Sequence, residues 1–476
     1  MTDQLRRFLK RKFVRDTLAL QIGKIGTTLL TLLSALLVAR LLGTSAYGVW
    51  ALAQSILSIA LTLNLTGLNT SISIQLPMAV GARSAGEILN LLAVYVKVGL
   101  LWSAALTVVL FLAGPSLAGQ AYAGESYVGL LAAWLSLTVL PDMLYNLFVM
   151  AIQSQRSMRT IAVIQNLNQL VLLLCTLVAL LLSPTPEGMV ASRVAYSIIT
   201  ALIALAFYNR LRNTYQPPYP PLIDIIRHIP RVPMRPYLGF GFLNALDKSV
   251  ANLYTEIPLQ FVGIVAGKTA AGYLELAFKA LSIPATFTSA LFENIQAVVP
   301  QAIGRGDYRR LRQNFLRVVL ALLIGGSLFY ALFALTVPVF IPILFQSHWT
   351  PAIPVVITLA VYGAVTTVGG VFGPLYRGLN LMPSAITAKV IALLVLIPGW
   401  LALQNLDTLN HIWQAAHLLT PQPAIAQHGA IIGAWMINAL LAISILLTAA
   451  VSLPVLRQRA AQSPPPAELP VKNTAQ

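Results

Sequence analysis

Two lysines lie inside apolar stretches of this chain, Lys24 and Lys248, 224 residues apart. An ammonium group in hydrocarbon costs at least a few kcal/mol, so it is either functional or paired. Lys24 lies about seven residues into its stretch, roughly 10 Å deep for a helix, too deep to reach the nearer surface easily. Two such cations facing one cleft are tolerated when water or an anion lies between them. The alternative is a hydrogen bond to a backbone carbonyl or a partner across the seam. Lys97 is a third cation of this kind. Around Lys248, the residues Asn244, Asn252 and Thr255 share one helical face, and Asp247 and Glu256 lie near it. The two acids are the candidate ion-coupling carboxylates. Around Lys24, Gln21 and Thr28 share its face. Gln54, Ser55, Ser58, Thr62 and Asn69, and Gln165, Asn166, Asn168 and Gln169, add uncharged polarity that suits either sugar hydroxyls or helix–helix hydrogen bonds. Glu275 and Lys279 have the i,i+4 spacing of a self-neutralising pair. Glu293 and Lys389 have no assigned role.

The elements that position these groups are membrane spans. Of 476 residues, 57% are hydrophobic and only 9% charged, with a mean hydropathy of +0.78. A water-solvated surface cannot be built from that composition, which excludes a cytosolic enzyme, a secreted domain and a disordered chain. Twelve apolar stretches are long enough to cross a bilayer as helix, near 17–42, 46–70, 89–113, 126–151, 161–182, 189–207, 237–264, 270–302, 313–336, 352–376, 384–403 and 429–453. The continuous apolar runs argue against a β-barrel. The net charge of +17 follows from loop bias rather than nucleic-acid binding. Basic residues crowd the N-terminal tail, the linker (Arg210, Arg212, Arg227, Arg231, Arg235), the loop before span nine (Arg305, Arg309, Arg310, Arg312, Arg317) and the C-terminal tail. Arg40, Arg193 and Lys268 fall on the opposite side. Both termini are therefore expected in the cytoplasm. No cleavable signal peptide is expected.

The expected organisation is a basic interfacial segment (1–16), an N-lobe of helices one to six (17–207), a Pro- and Arg-rich cytoplasmic linker (208–236), a C-lobe of helices seven to twelve (237–453) and a disordered cytoplasmic tail (454–476). An internal repeat supports two lobes. Residues 43–53, G-T-S-A-Y-G-V-W-A-L-A, match 267–277, G-K-T-A-A-G-Y-L-E-L-A; Pro77 to Gly81 match Pro300 to Gly304. Both pairs occupy equivalent places in the two halves. Six spans per half is an even number, so the repeats run parallel, about an axis along the membrane normal, with the substrate between them. There is no phosphate-binding G-x-x-x-x-G-K-[ST] loop, so the chain does not hydrolyse ATP. His411, His417 and His428 lack metal-ligand spacing, and Cys175 is a lone apolar residue. No metal, cofactor or catalytic residue is expected.

The run Ala39 to Leu52, A-R-L-L-G-T-S-A-Y-G-V-W-A-L, resembles the first-loop signature of the polysaccharide transport family, within the multidrug/oligosaccharidyl-lipid/polysaccharide exporter superfamily. Pro300-Gln301-Ala302 with Gly306-Asp307, and Leu375 to Asn380, are further echoes. The resemblance implies an all-α integral membrane protein of two pseudo-symmetric six-helix lobes, not an enzyme. It also implies alternating access through a cationic central cavity. The activity implied is translocation of undecaprenyl-pyrophosphate-linked oligosaccharide repeat units, of O-antigen or exopolysaccharide type, between leaflets of the bacterial inner membrane. Lys24, Lys97 and Lys248 are then the candidates for phosphate contacts. The partners implied are the lipid-linked glycan, membrane lipid and a polysaccharide polymerase, with no nucleic acid. A lipid II flippase, a multidrug or cation exporter of the same superfamily, and a membrane polysaccharide polymerase or ligase remain the alternatives.

Overall fold

The computed structural model describes residues 12–64, 67–122, 125–155, 157–215, 218–234, 237, 241–304, 306, 308–406 and 425–462, with backbone alone for 12–25, 158–159, 287–298, 300–301 and 304. Within these residues the chain is helical. The helices are α1 (Lys12–Leu42), α2 (Thr44–Thr62), α3 (Leu68–Gly81), α4 (Ala85–Ala121), α5 (Tyr127–Ser154), α6 (Met158–Leu182) and α7 (Pro186–Leu211). After the linker helix α8 (Leu222–His228) come α9 (Phe242–Val265), α10 (Lys268–Gly304), α11 (Tyr308–Phe345), α12 (Ile353–Gly378), α13 (Met382–Gln404) and α14 (Ile425–Gln462). With α2 and α3 as two pieces of one segment, and α8 set aside, twelve segments correspond to the twelve apolar stretches. The segment starts follow local chemistry. Ser84 caps α4 by accepting from the Glu87 N–H, and Thr185 caps α7 by accepting from the Gly188 N–H, with Pro186 in the first turn.

The helices differ from the apolar stretches in two ways. The second segment's first helix ends at Thr62 and, after Gly67 with its left-handed φ of 60°, the segment continues as α3 to Gly81. Several segments also outrun the bilayer. The 37 residues of α4 and α10 and the 38 of α11 and α14 span about 55 Å, against about 30 Å of hydrocarbon. Arg309, Arg310, Arg312 and Arg317, expected in a loop, lie on the first turns of α11 instead.

The repeated sequence has a structural reason. Its first glycine, Gly43 or Gly267, makes the turn into the second segment of each lobe at φ 76° and 87°. Its second glycines, Gly48 and Gly272, lie against each other where α2 crosses α10. A Cβ on Gly48 would stand 1.7 Å from the Lys268 carbonyl oxygen, and one on Gly272 would stand 2.7 Å from that of Thr44. The duplication thus places a backbone-to-backbone crossing where the two lobes meet.

That crossing belongs to one apolar core shared by both lobes, in which Tyr47, Trp50 and Leu52 pack with Leu259, Leu274 and Trp349. Polar contacts reinforce it. Arg40 donates to the Leu344 and Ile343 carbonyls at 2.5 and 2.7 Å, covering the C-terminal end of α11, and Trp349 donates to the Ala39 carbonyl at 2.9 Å. Lys268 pairs with Glu125 at 2.8 Å. We call this the distal face. Towards the other face, which carries the linker, the cores separate. One contains only first-lobe and linker residues (Ile72, Leu92, Phe148, Tyr208, Tyr219, Ile225), the other only second-lobe residues (Leu311, Phe315, Phe372, Leu375, Leu456). The lobes therefore join distally and part towards the linker face.

The Pro- and Arg-rich linker is built onto the first lobe. Tyr208 donates to the Pro220 carbonyl, His228 meets Asn90 at 2.7 Å, and Tyr237 donates to Glu87 at 3.2 Å. Most of the expected interfacial segment, and the C-terminal tail beyond Gln462, lie outside the described residues.

Candidate functional site

A cavity of about 520 Å³ opens at the seam between the lobes. The first lobe supplies Gln54 and Ser58 from α2, Asn64 and Gly67 from the break, Asn69 and Thr70 from α3, and Trp102 from α4. It also supplies Thr138, Asp142 and Asn146 from α5 and Arg193 from α7. The second lobe contributes one edge of α9: Ala245, Lys248 and Ser249. The lining combines amides, hydroxyls, an indole, one carboxylate and two cations with the apolar side chains of Leu57, Leu61, Leu68, Leu135, Val139 and Met143. Such a surface suits a polar, sugar-bearing ligand with an anionic group.

Lys248 is exposed to the cavity and has no hydrogen-bond or ion-pair partner among the described residues. Its neighbour in sequence explains its direction. Asp247 points about 100° away around the helix and is buried at 2% exposure. There it accepts from Lys389 Nζ at 2.5 Å, from the Tyr376 hydroxyl at 2.8 Å and from Arg377 at 3.2 Å. These bonds pin the start of α9 to α12 and α13, which leaves the next side chain facing the seam. Asp247, a candidate coupling carboxylate by sequence, is committed to this triple contact and does not line the cavity. The partner of Lys389, unassigned in the sequence, is this same carboxylate.

Arg193, expected among the basic residues of the opposite face, lies seven residues inside α7 and lines the cavity. Its guanidinium is 3.9 Å from the Asp142 carboxylate, with both side chains about one-third exposed, and it stacks over the Tyr196 ring at 4.6 Å. The deep cations of this chain therefore include an arginine. A polar stripe on α7, Arg193, Ser197 and Thr200 at spacings of four and three, was the signal available for it.

The other sequence candidates are placed as follows. Lys97 donates to the Val232 carbonyl of the linker at 3.0 Å and is not among the cavity-lining residues, so its position corrects the phosphate assignment. This is the backbone-carbonyl alternative open to any buried lysine. Asn252 donates to Ser58 across the seam at 3.0 Å, and Thr28 meets Thr286 of the second lobe at 3.5 Å. Both join lobes rather than line the cavity. Asn244 is half-buried on α9 outside the lining set. Glu256 is half-buried at the seam, where the Ser55 hydroxyl of α2 donates to its backbone carbonyl at 3.4 Å. Glu275 and Lys279 pair at 3.1 Å. The amides of α6 serve helix packing: Gln169 accepts from Thr31, and Asn166 donates to the Ala162 carbonyl. The side chains of Gln21, Lys24 and Glu293 lie outside the described residues, as do His411 and His417. No cluster of His, Cys, Asp or Glu able to hold a metal ion occurs among the described residues.

Fold and cavity together define a two-lobed, all-helical membrane protein with a cleft at the seam of its lobes. The sequence makes the family explicit: residues 13–302 match the family model described as "Polysaccharide biosynthesis protein", and the chain belongs to that family. No match was found among curated proteins. Among solved structures, the chain is similar to an inward-facing multidrug resistance MATE family transporter of the MOP superfamily, with a TM-score of 0.68 at 14% identity over 93% of this chain and 98% of the other. An outward-facing MATE transporter of that superfamily gives 0.57 at 17% identity over 94% and 95%. A MOP superfamily transporter from Pyrococcus furiosus, described as having a binding pocket of reverse polarity, gives 0.58 at 17% identity over 93% and 96%. These likenesses establish the fold.

Proposed function

We propose that the protein is a flippase for a lipid-linked oligosaccharide whose headgroup is a pyrophosphate, translocating undecaprenyl-linked repeat units by alternating access. The observation that carries the reading is Lys248: an ammonium from one lobe, with no partner among the described residues, facing a cavity whose other wall, from the opposite lobe, sets amides, hydroxyls, an indole and the Arg193–Asp142 pair among apolar side chains. A lysine holds phosphate as a mobile point charge and releases it more readily than a bidentate arginine fork. Arg193 is shared with Asp142, so the pair neutralises itself until a ligand anion competes for the guanidinium. Gln54, Asn69, Asn146 and Trp102 suit a glycan, the amides as donors and acceptors and the indole as a stacking face.

In this reading the joined distal face is periplasmic, the parted face with the linker and both termini is cytoplasmic, and the membrane is a bacterial inner membrane. The lipid tail stays in the bilayer while the headgroup crosses, and a polysaccharide polymerase receives the product. The protein acts as a transporter, not an enzyme. An exporter of organic cations would want an unpaired carboxylate in the cavity. The carboxylate there, Asp142, has Arg193 beside it.

The test is complementation. A strain lacking a repeat-unit flippase receives wild type, Lys24→Ala, Lys248→Ala or the double variant, with protein amounts matched. Surface polysaccharide is expected with wild type and to be lost in the double variant. Full surface polysaccharide from the double variant would remove the phosphate role.

A further inference from the structure

Asn69 stands on the first turn of α3, two residues after Gly67, and its side chain is exposed to the cavity. The backbone beneath it is held from both lobes. Ser71 donates its N–H to the Gly67 carbonyl at 2.9 Å and its hydroxyl to the Tyr237 carbonyl at 3.4 Å. Gly67 in turn lies so close to the second lobe that a Cβ on it would stand 2.2 Å from the Gly241 carbonyl oxygen. With the backbone fixed, the orientation of the amide plane decides what Asn69 offers a ligand. One edge is a carbonyl oxygen, an acceptor; the other is an NH2 group, two donors.

Tyr95 makes that choice from behind. Its side chain, on α4, is 1% exposed and packs in one core with Leu68, Ile72 and Leu91. Its hydroxyl donates to Asn69 Oδ1. The acceptor edge is thus taken up inside the protein, and Nδ2 is left for the cavity, with no partner for it among the described residues. A buried phenol needs an acceptor, but a backbone carbonyl would serve. Tyr208 and Tyr254, also buried, donate to the carbonyls of Pro220 and Lys389. Tyr95 ends instead on a side chain of the cavity wall.

We infer that Tyr95 is a positioning residue for ligand binding: it holds Asn69 as an N–H donor, so that the first-lobe wall meets an acceptor oxygen of the ligand, on the phosphate or on the first sugar. The inference rests on the headgroup reading above and sharpens it. A freely turning asparagine accepts or donates according to the ligand. A held one only donates, as does the Lys248 ammonium from the other lobe, and both reject an amine or ammonium group at this position.

The purified full chain is titrated with a polyprenyl pyrophosphate, bare or carrying a single sugar, and Tm is read in parallel. Tyr95→Phe keeps the ring in its packing and removes the hydroxyl. Asn69→Ala and Tyr95→Phe should each weaken binding about 3- to 10-fold. The double variant should bind within about twofold of Asn69→Ala, because the tyrosine acts through that amide. Asn69→Asp, which keeps an acceptor for Tyr95 and loses the donors, should bind at least as weakly as Asn69→Ala. It also decides the matter if Tyr95→Phe is not recovered folded. A loss with both probes places the acceptor oxygen on the phosphate, and a loss with the sugar-bearing probe alone places it on the sugar; either supports the inference. A lower Tm with unchanged affinity in Tyr95→Phe, losses that multiply in the double variant, or wild-type affinity in Asn69→Asp would overturn it. Lys248→Ala separates the two readings. A loss there with none in the Asn69 and Tyr95 variants removes the positioning role alone, and no loss in any variant removes the headgroup reading with it.

Discussion

Gly48→Ala tests the distal seam directly. The new Cβ would meet the Lys268 carbonyl oxygen at 1.7 Å and its carbon at 2.6 Å, both rigid backbone atoms with no flexible end to move aside. Ordinary van der Waals contact needs about 3.4 Å, so α2 and α10 must part by more than an ångström. The bonds from Arg40 at 2.5 and 2.7 Å and from Trp349 at 2.9 Å cross the same seam and do not survive such a shift together. Two or three lost hydrogen bonds, each about 0.5–1.5 kcal/mol net, favour the distally open arrangement by about 1–4.5 kcal/mol, or roughly 5- to 2,000-fold in population. The assay places a cysteine at Ala270, which is fully buried in the seam, in a Cys175→Ser background, and measures labelling by a membrane-impermeant maleimide applied to the distal side. Wild type should be protected and Gly48→Ala should label rapidly. Equal protection in both would show that the glycine crossing does not hold the lobes together.

Two further outcomes follow from the charges that do not line the cavity. Asp247→Asn leaves Lys389, itself only 15% exposed, without its counter-charge, which should cost about 3–5 kcal/mol and lower the Tm in detergent; adding Lys389→Met should recover most of the loss. An unchanged Tm in the single variant would contradict the pinning of α9. Lys97→Met removes the bond to the Val232 carbonyl, worth about 1 kcal/mol, and should speed proteolysis of the linker while leaving headgroup affinity within about twofold, since Lys97 does not line the cavity. A tenfold loss of affinity with an intact linker would return Lys97 to the site.

The twelve segments and the two lobes were legible in the sequence because apolar runs and a duplicated motif record them directly. The break between α2 and α3 was not, since Leu61 and Leu63 before it and Leu68 and Ile72 after it keep the hydropathy high on both sides. The helical extensions at the start of α11 and the end of α14 were hidden for the opposite reason: charges end an apolar run without ending a helix. Within the site, Lys248 was readable through its place in the repeat. Lys97 was readable as a buried cation but not as a linker tether, because depth along a helix does not say which element faces it. Arg193 was lost because an arginine close to a loop is counted with the loop. Only the packing of α7 against α5 brings it beside Asp142.

The central claim is that Lys248 meets an anionic headgroup in the cavity, and binding measures it most directly. Purified wild type and Lys248→Ala, both confirmed as folded by their Tm, are titrated with a polyprenyl pyrophosphate carrying a single sugar. A charge-assisted bond worth about 1.5–3 kcal/mol predicts a Kd weakened about 10- to 150-fold in the variant, with Lys248→Arg retaining most of the affinity. Equal affinity in wild type and Lys248→Ala would contradict the account.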